Sequence, residues 1–170
     1  RMLDEVPAAA PFIRPYLGAA ELLSGEERYC LWIEDHQVDA AMAIDPIRAR
    51  LEAVTTARRG PGSSSVARSF AERPHRFVQR CHQESPAILV PGVTSERRHY
   101  VPMAYVGPAV IASNALYVIF GAEPHVFALL QSRLHTIWLE TVGGRLETRF
   151  RYSSDLVYGT FPAPSIAGGA

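Results

Sequence analysis

The run Ala87-Ile-Leu-Val-Pro-Gly92, followed at short intervals by residues 99–106, 109–113 and Leu116-Tyr-Val-Ile-Phe120, decides the fold. Ala87 to Val90 is a short apolar stretch that Pro91-Gly92 closes, as expected of a buried strand. The three later runs are each bounded by Pro, Gly, Ser or Asn. They read as consecutive strands with no helical pattern between them, which is a meander rather than a β-α-β series. Residues 100–122 carry no charge and are long enough to span a bilayer. Pro102, Gly107, Pro108, Ser113, Asn114 and Gly121 interrupt them, however, and such dense punctuation belongs to strands and turns. No membrane partner is expected.

Upstream, Glu27-Arg-Tyr-Cys-Leu-Trp-Ile-Glu34 reads as a buried strand, with Cys30 and Trp32 in the core. Asp45 as N-cap, Pro46 at the first helical position and Gly60 past the end frame a helix. Its apolar stripe is Ile47, Leu51 and Val54. Arg58 and Arg59 in its last turn suit the helix dipole. Gly60 to Ser65 is a flexible connector, and Ser64 or Ser65 caps a second short helix to about Glu72, ended by Arg73-Pro74. Downstream, Glu123-Pro124 opens what reads as the longest helix, to Val142, with Phe127, Leu130, Leu134 and Trp138 on its core face. Leu146 to Tyr152 alternates as one half-buried strand. The expected fold class is α+β: a mostly antiparallel or mixed sheet packed with two or three helices in a single domain. Residues 1–11 are expected as a linker, 12–164 as the domain and 165–170 as a fraying tail.

A chain of 170 residues that is 48% hydrophobic is neither disordered nor in need of staples. Two cysteines make neither a disulfide scaffold nor a four-cysteine zinc site. No signal peptide is legible, and the ends read as those of a domain cut from a larger cytoplasmic protein. The net charge is zero, but its distribution is not even. All 17 basic residues are arginine. Residues 1–47 hold three Arg against nine acids, residues 48–98 ten Arg against four Glu, and residues 99–170 four against four. A solvated neutral surface does not segregate in this way, whereas a concentrated arginine field suits a phosphate backbone and guanine edges.

Catalytic signatures are missing. There is no lysine for a P-loop, no Gly-x-Gly-x-x-Gly turn, no Gly-x-Ser-x-Gly elbow and no His-Glu-x-x-His. The six histidines are scattered, and no metal site is expected.

Several segments together resemble the target-recognition domain of the MmeI-like (type IIL) restriction–methyltransferase enzymes. They are Arg14-Pro-Tyr-Leu-Gly18, Glu27 to Trp32, Arg50-Leu-Glu-Ala-Val54, the Arg58–Arg59 pair with Ser63 to Ser65, and then Ala71, Pro74 and Phe77. The sharpest is Pro91-Gly-Val-Thr-Ser-Glu-Arg-Arg-His-Tyr-Val-Pro102. Ala112-Ser-Asn114 follows, then Ser132, His135 and Trp138, and Arg151-Tyr-Ser153 leading to Tyr158, Phe161, Pro162 and Pro164. The chain departs from the pattern at Gly159, where the family tends to have Asn, and at Ala163, where it tends to have Trp. The resemblance implies a parent enzyme that is an S-adenosylmethionine-dependent, adenine-N6-specific DNA methyltransferase, often fused to a nuclease. The Asn-Pro-Pro-aromatic motif and the Phe-x-Gly-x-Gly cofactor loop of such enzymes are absent here. This chain is therefore expected to hold no cofactor and no catalytic residue, and to read double-stranded DNA for methyltransferase and nuclease domains of the same parent.

Candidate contacts follow from side-chain chemistry. Arg reads guanine, Asn reads adenine, Glu accepts from cytosine, and Arg and Ser hold phosphates. Ser95, Glu96, Arg97 and Arg98 combine both kinds of group. In an extended segment Glu96 and Arg98 share one side and Arg97 takes the other. Arg97 and Arg98 bracing the loop against Glu96 is the structural alternative. Arg58, Arg59, Ser64 and Arg68 are expected on the DNA backbone, with Arg73 and Arg76 behind them. Asn114 reads adenine or forms a turn. Arg151 and Ser153 stay open between DNA and structure, and Tyr152 is placed on the structural side. Two rival functions remain: an RNA- or single-strand-binding module, and an interaction domain whose arginines dock an acidic partner. The first expects aromatics interleaved with Arg, and residues 48–98 offer only Phe70 and Phe77.

Overall fold

The computed structural model describes residues 6–164, so the expected tail lies outside the described residues. In chain order the elements are β1 (Ile13–Leu17), α1 (Ala19–Ser24), β2 (Tyr29–Leu31), α2 (Val38–Met42), α3 (Asp45–Arg59) and α4 (Ser65–Ser69). Then come β3 (Ala87–Pro91), β4 (Val93–Thr94), β5 (Ala104–Val106), β6 (Ile111–Ala112) and β7 (Leu116–Phe120). The last are α5 (Pro124–Leu130), α6 (Arg133–Val142), β8 (Gly144–Leu146) and β9 (Arg149–Arg151). The architecture is α+β, and the chain sorts into two units: residues 1–15 with 29–82, and residues 16–28 with 83–170.

In the first unit, residues 13–15 of β1 pair antiparallel with β2. Residues 7–12, expected within or beside a linker, form a 3-10 helix that buries Ala9 and Phe12. These two pack with Ile33, Ala41, Ile47 and Leu51. The α3 stripe is as expected, with Ile47 and Leu51 buried and Val54 half-buried. Its N-cap is Ile44, however, and Asp45 sits inside the first turn, paired with Arg48. Ser64 caps α4, its hydroxyl accepting from the Ala67 N–H at 3.1 Å. Trp32 is buried, while Cys30 is only half-buried.

In the second unit, β3 is central, with β5 and β7 antiparallel on either side, and all five of its residues are buried. The meander is corrected here. β6 leaves the series and pairs in parallel with Tyr16 and Leu17, and the Ser113 N–H reaches the Leu17 carbonyl at 2.8 Å. The strand expected over residues 99–106 survives only as β5. Pro102 has no N–H for a ladder, and Val101 and Met103 instead plug the core, with the Val101 carbonyl accepting from Gln131 at 2.9 Å.

The long helix is also corrected. Gln131 and Ser132 break it into α5 and α6, and the Ser132 hydroxyl caps α6 by accepting from the His135 N–H at 3.2 Å. The break resets the helical phase. Leu134, expected in the core, is 58% exposed, while His135, Thr136 and Leu139 are buried. Leu130 is buried, and Phe127 and Trp138 are half-buried against the core. The expected strand over residues 146–152 is a hairpin of β8 and β9, turned at Glu147, whose φ is +57°. Among the described residues no helix is long and apolar enough to cross a membrane.

His135 is fully buried. Its Nε2 bonds the Tyr152 hydroxyl at 3.0 Å, its ring meets Phe161 edge-on at 4.5 Å, and Nδ1 has no partner among the described residues. Burial lowers its pKa to about 4 and, together with nearby Tyr158, raises that of Tyr152. The unfolded chain therefore takes up this proton first as pH falls. The stabilisation is complete above about pH 6.5 and is lost toward pH 4, on the order of 3 kcal/mol in all. Urea melts across that range should show this loss in the wild type and a smaller one in His135→Gln. A second expectation concerns Gly143, between α6 and β8. A Cβ there would lie 2.5 Å from the Leu139 carbonyl oxygen and 2.6 Å from its Cδ1. Leu139 is fully buried and cannot yield. Gly143→Ala should lower the urea midpoint by the equivalent of about 1–3 kcal/mol.

Candidate nucleic-acid interface

The arginine-rich segment divides into tied and free side chains. In the first unit, Arg76 and His75 both bond the Asp35 carboxylate, which holds it well below the usual carboxylate range, Arg76 contributing most. Arg80 pairs with Glu34 and lies over the Trp32 ring at 4.3 Å. Phe77 and His82 flank the same indole at 5.7 and 5.4 Å. Arg59 pairs with Glu72 at 2.6 Å, with both side chains mostly exposed. A pair of that kind contributes little and opens readily for a stronger anion.

Arg58 is the main correction. Its guanidinium donates to the carbonyls of Phe70 at 2.8 Å, Arg73 at 3.0 Å and Arg76 at 2.7 Å. It faces backbone of its own chain rather than an external phosphate. The hydroxyl of Ser64 is likewise engaged as a helix cap. Arg68 and Arg50 are exposed and have no side-chain partner among the described residues, and Arg73 covers the Phe70 ring at 5.3 Å. Of the candidates in this unit, Arg68 and Arg59 keep the geometry of a phosphate contact, while Arg76 is held inward.

In the second unit, Ser95 to Arg98 is a turn, not an extended segment. The Arg98 N–H reaches the Ser95 carbonyl at 3.2 Å, and the Arg97 N–H reaches the Ser95 hydroxyl at 3.2 Å. The alternation expected for Glu96, Arg97 and Arg98 therefore fails. All three project, exposed, from one tip. The Arg97 side chain is 90% exposed and only 3.7 Å from Glu96, and Arg98 has no side-chain partner among the described residues.

Strand register places this tip. Val93 pairs with Arg151 and Thr94 with Phe150, so the 95–98 turn leaves β4 beside Arg149 and the hairpin tip. Along β9 the side chains alternate: Phe150 is buried, and Arg149 and Arg151 face out. Arg149 meets Glu147 at 2.9 Å, and Arg151 has no partner among the described residues. Arg145 folds back over the Phe150 ring at 4.6 Å. Sequence reasoning left Arg151 open and passed over Arg149. The signal was present in the alternation of Arg149-Phe-Arg-Tyr152.

Asn114 occupies the turn that joins β6 to β7. Ser113 supplies the turn's hydrogen bonds, its carbonyl accepting from the Leu116 N–H and its hydroxyl from the Ala115 N–H, both at 3.2 Å. The Asn114 side chain is thus exposed with no partner among the described residues. Leu116 pairs with Pro91, so the Asn114 turn and the Gly92 departure toward β4 lie at the same end of the β3–β7 pair. That end of the second unit presents free guanidinium groups, a carboxylate and a carboxamide, the groups that read base edges. No group of histidine, cysteine, aspartate or glutamate that could hold a metal ion occurs among the described residues.

The family model described as MmeI, target recognition domain, matches residues 1–165. DNA methyltransferase A of Bacillus subtilis (strain 168) is 33% identical over 165 residues, covering 97% of this chain and 19% of that protein. The solved structure of the type IIL restriction-modification enzyme MmeI in complex with DNA superposes with a TM-score of 0.85 at 34% identity, covering 98% of this chain and 22% of that one. The chain spans about a fifth of the length of these relatives. Matched over nearly its whole length by the family model and a third identical to the bacterial enzyme, it belongs to the family of MmeI target-recognition domains.

Proposed function

We propose that this chain reads a short sequence in double-stranded DNA and positions the target for a catalytic domain of a longer polypeptide. The carrying observation is the cluster at one end of the second unit: Arg97 and Arg98 on a turn, Arg149 and Arg151 on the outward face of β9, and Asn114 on a neighbouring turn. Arginine forks match guanine O6 and N7, the Asn114 amide matches adenine, and Glu96 or Glu147 accepts from a cytosine amine. Arg68, Arg59 and Arg50 of the first unit add phosphate contacts, which fix register without reading sequence. The MmeI structure, solved with DNA, supports the reading.

The reaction proposed for the longer enzyme is transfer of a methyl group from S-adenosylmethionine to adenine N6 in the cytoplasm, with a nuclease domain as a further neighbour. The cofactor is assigned to another domain of that longer enzyme. The groove beside β7 is lined by Tyr117, Val118, Ile119, Tyr152, Ser154 and Tyr158, with no carboxylate for ribose hydroxyls. Gly25, Gly62 and Gly121 have positive φ, and none of them opens a helix. A single-strand reader would need exposed aromatics among its arginines. Within residues 48–98, Phe70 instead lies under Arg73 and Phe77 against Trp32, both half-buried, although Tyr100 beyond them is 53% exposed.

Fluorescence anisotropy of the 170-residue chain on duplex DNA at several salt concentrations tests this. Each phosphate contact removed should lower the slope of log affinity against log salt by about 0.9. Base-reading arginines behave differently. Arg149→Gln or Arg151→Gln should cost about 1–3 kcal/mol on the recognised duplex and much less on a scrambled one. Binding that ignores salt, or equal losses on both duplexes, would overturn the assignment. Methylation-sensitive sequencing of DNA from a host expressing the full-length enzyme supplies the recognised site.

A further inference from the structure

Arg58 sits in the last turn of α3, with its guanidinium aimed at a run of backbone that is not a helix. The Phe70 N–H bonds the Ala67 carbonyl, the Arg73 N–H the Phe70 carbonyl and the Arg76 N–H the Arg73 carbonyl, each at 3.1 Å. The first of these bonds closes the end of α4, and residues 70–76 beyond it form a ribbon of successive turns. The carbonyls of residues 70, 73 and 76, one every third residue, converge on the single guanidinium of Arg58. The carbonyls of residues 70 and 73 each accept one N–H within the ribbon and keep a second lone pair, to which the guanidinium donates. A planar fork with several fixed N–H groups can span all three carbonyls at once. An ammonium also has three donors, but they leave a single nitrogen and lack the fork's fixed planar spread.

The ribbon is pinned a second time at its far end, where His75 and Arg76 grip Asp35, His75 at 2.8 Å. The exposed Arg73 stands on this ribbon, and the exposed Arg68 stands in the last turn of α4, which runs directly into it. Arg68 has no side-chain partner among the described residues. One exposed cation is thus mounted on the ribbon that Arg58 holds, and the other on the helix end that leads into it.

We infer that Arg58 is a positioning residue for DNA binding: it touches no DNA, and it holds the 70–76 ribbon, and with it the end of α4, in the conformation that presents Arg73 and Arg68 to phosphates. This inference rests on the DNA-reading proposal above.

Substitution by lysine separates charge from geometry. If Arg58 were itself a phosphate contact, Arg58→Lys would keep most of the affinity and the full salt dependence. As a clamp, Arg58→Lys should weaken duplex binding about tenfold at moderate salt and reduce the slope of log affinity against log salt by up to about 1.8, two contacts' worth, although net charge is unchanged. In an Arg68→Gln, Arg73→Gln background the same change should cost nothing more. Without DNA, hydrogen exchange at residues 70–76 should accelerate in Arg58→Lys. Wild-type affinity and slope in Arg58→Lys, or an undiminished tenfold loss in the double-variant background, would overturn the inference. Should Arg58→Lys fail to fold, the exposed pair decides: wild-type binding by Arg68→Gln, Arg73→Gln overturns the inference, and a slope reduced by about 1.8 supports it. Absence of salt-dependent duplex binding by the wild type would remove the DNA reading itself, which is a different result from an unchanged Arg58→Lys.

Discussion

Ala87 to Pro91 is buried along its whole length and hydrogen-bonded on both sides, so its register cannot slip. A shift by one residue would force Ile88 and Val90 into packing shaped for Leu89, and such misfits cost about 1–3 kcal/mol each. That rigidity is inherited by what leaves the strand. Pro91 opposite Leu116 fixes where the Asn114 turn stands, and Gly92 starts the chain toward β4, β9 and the 95–98 turn. The side chains proposed to read DNA sit on turns and short strands of the second unit with little packing of their own, and a locked central strand supplies the precision they lack.

The arginines show why a charge count is a poor guide to a binding surface. Of the ten in residues 48–98, several serve the fold. Arg58 holds carbonyls, Arg76 and Arg80 hold carboxylates, and Arg80 also covers an indole. Others, such as Arg59 with Glu72, are held only by exposed pairs that a phosphate displaces at little cost. The rest, Arg50, Arg68 and Arg98, have no side-chain partner among the described residues. Arginine fills all three roles here because its fork binds carbonyls, carboxylates, aromatic faces and phosphates alike.

Periodicity and punctuation made much of the fold legible. The α3 stripe, the Ser64 cap, β3 and β7 follow from local patterns, and they stand close to where those patterns put them. The misses share a cause: a single side chain or missing N–H overrode a pattern that looked continuous. Ser132 broke a twenty-residue apolar helix pattern by capping from within it, and Pro102 withdrew the N–H that a longer β5 needed. The residue at 147 took positive φ without being glycine or asparagine, so the hairpin gave no turn signal. At the site, the turn at Ser95 and the outward face of β9 depend on pairings between distant segments, which one sequence does not reveal. Arg58 was legible as a cation near a helix end, but the carbonyls it serves lie up to 18 positions away.

The alternation along β9 divides two kinds of selection between neighbouring codons. Phe150 and Tyr152 answer to the interior, and any change there is tested by folding. Arg149, beyond its exposed pair with Glu147, and Arg151 face outward. A lineage can therefore revise the outward pair by single substitutions while the scaffold persists, and descendants with near-identical interiors can come to prefer different targets. Divergence among such relatives should concentrate at every second position of this strand.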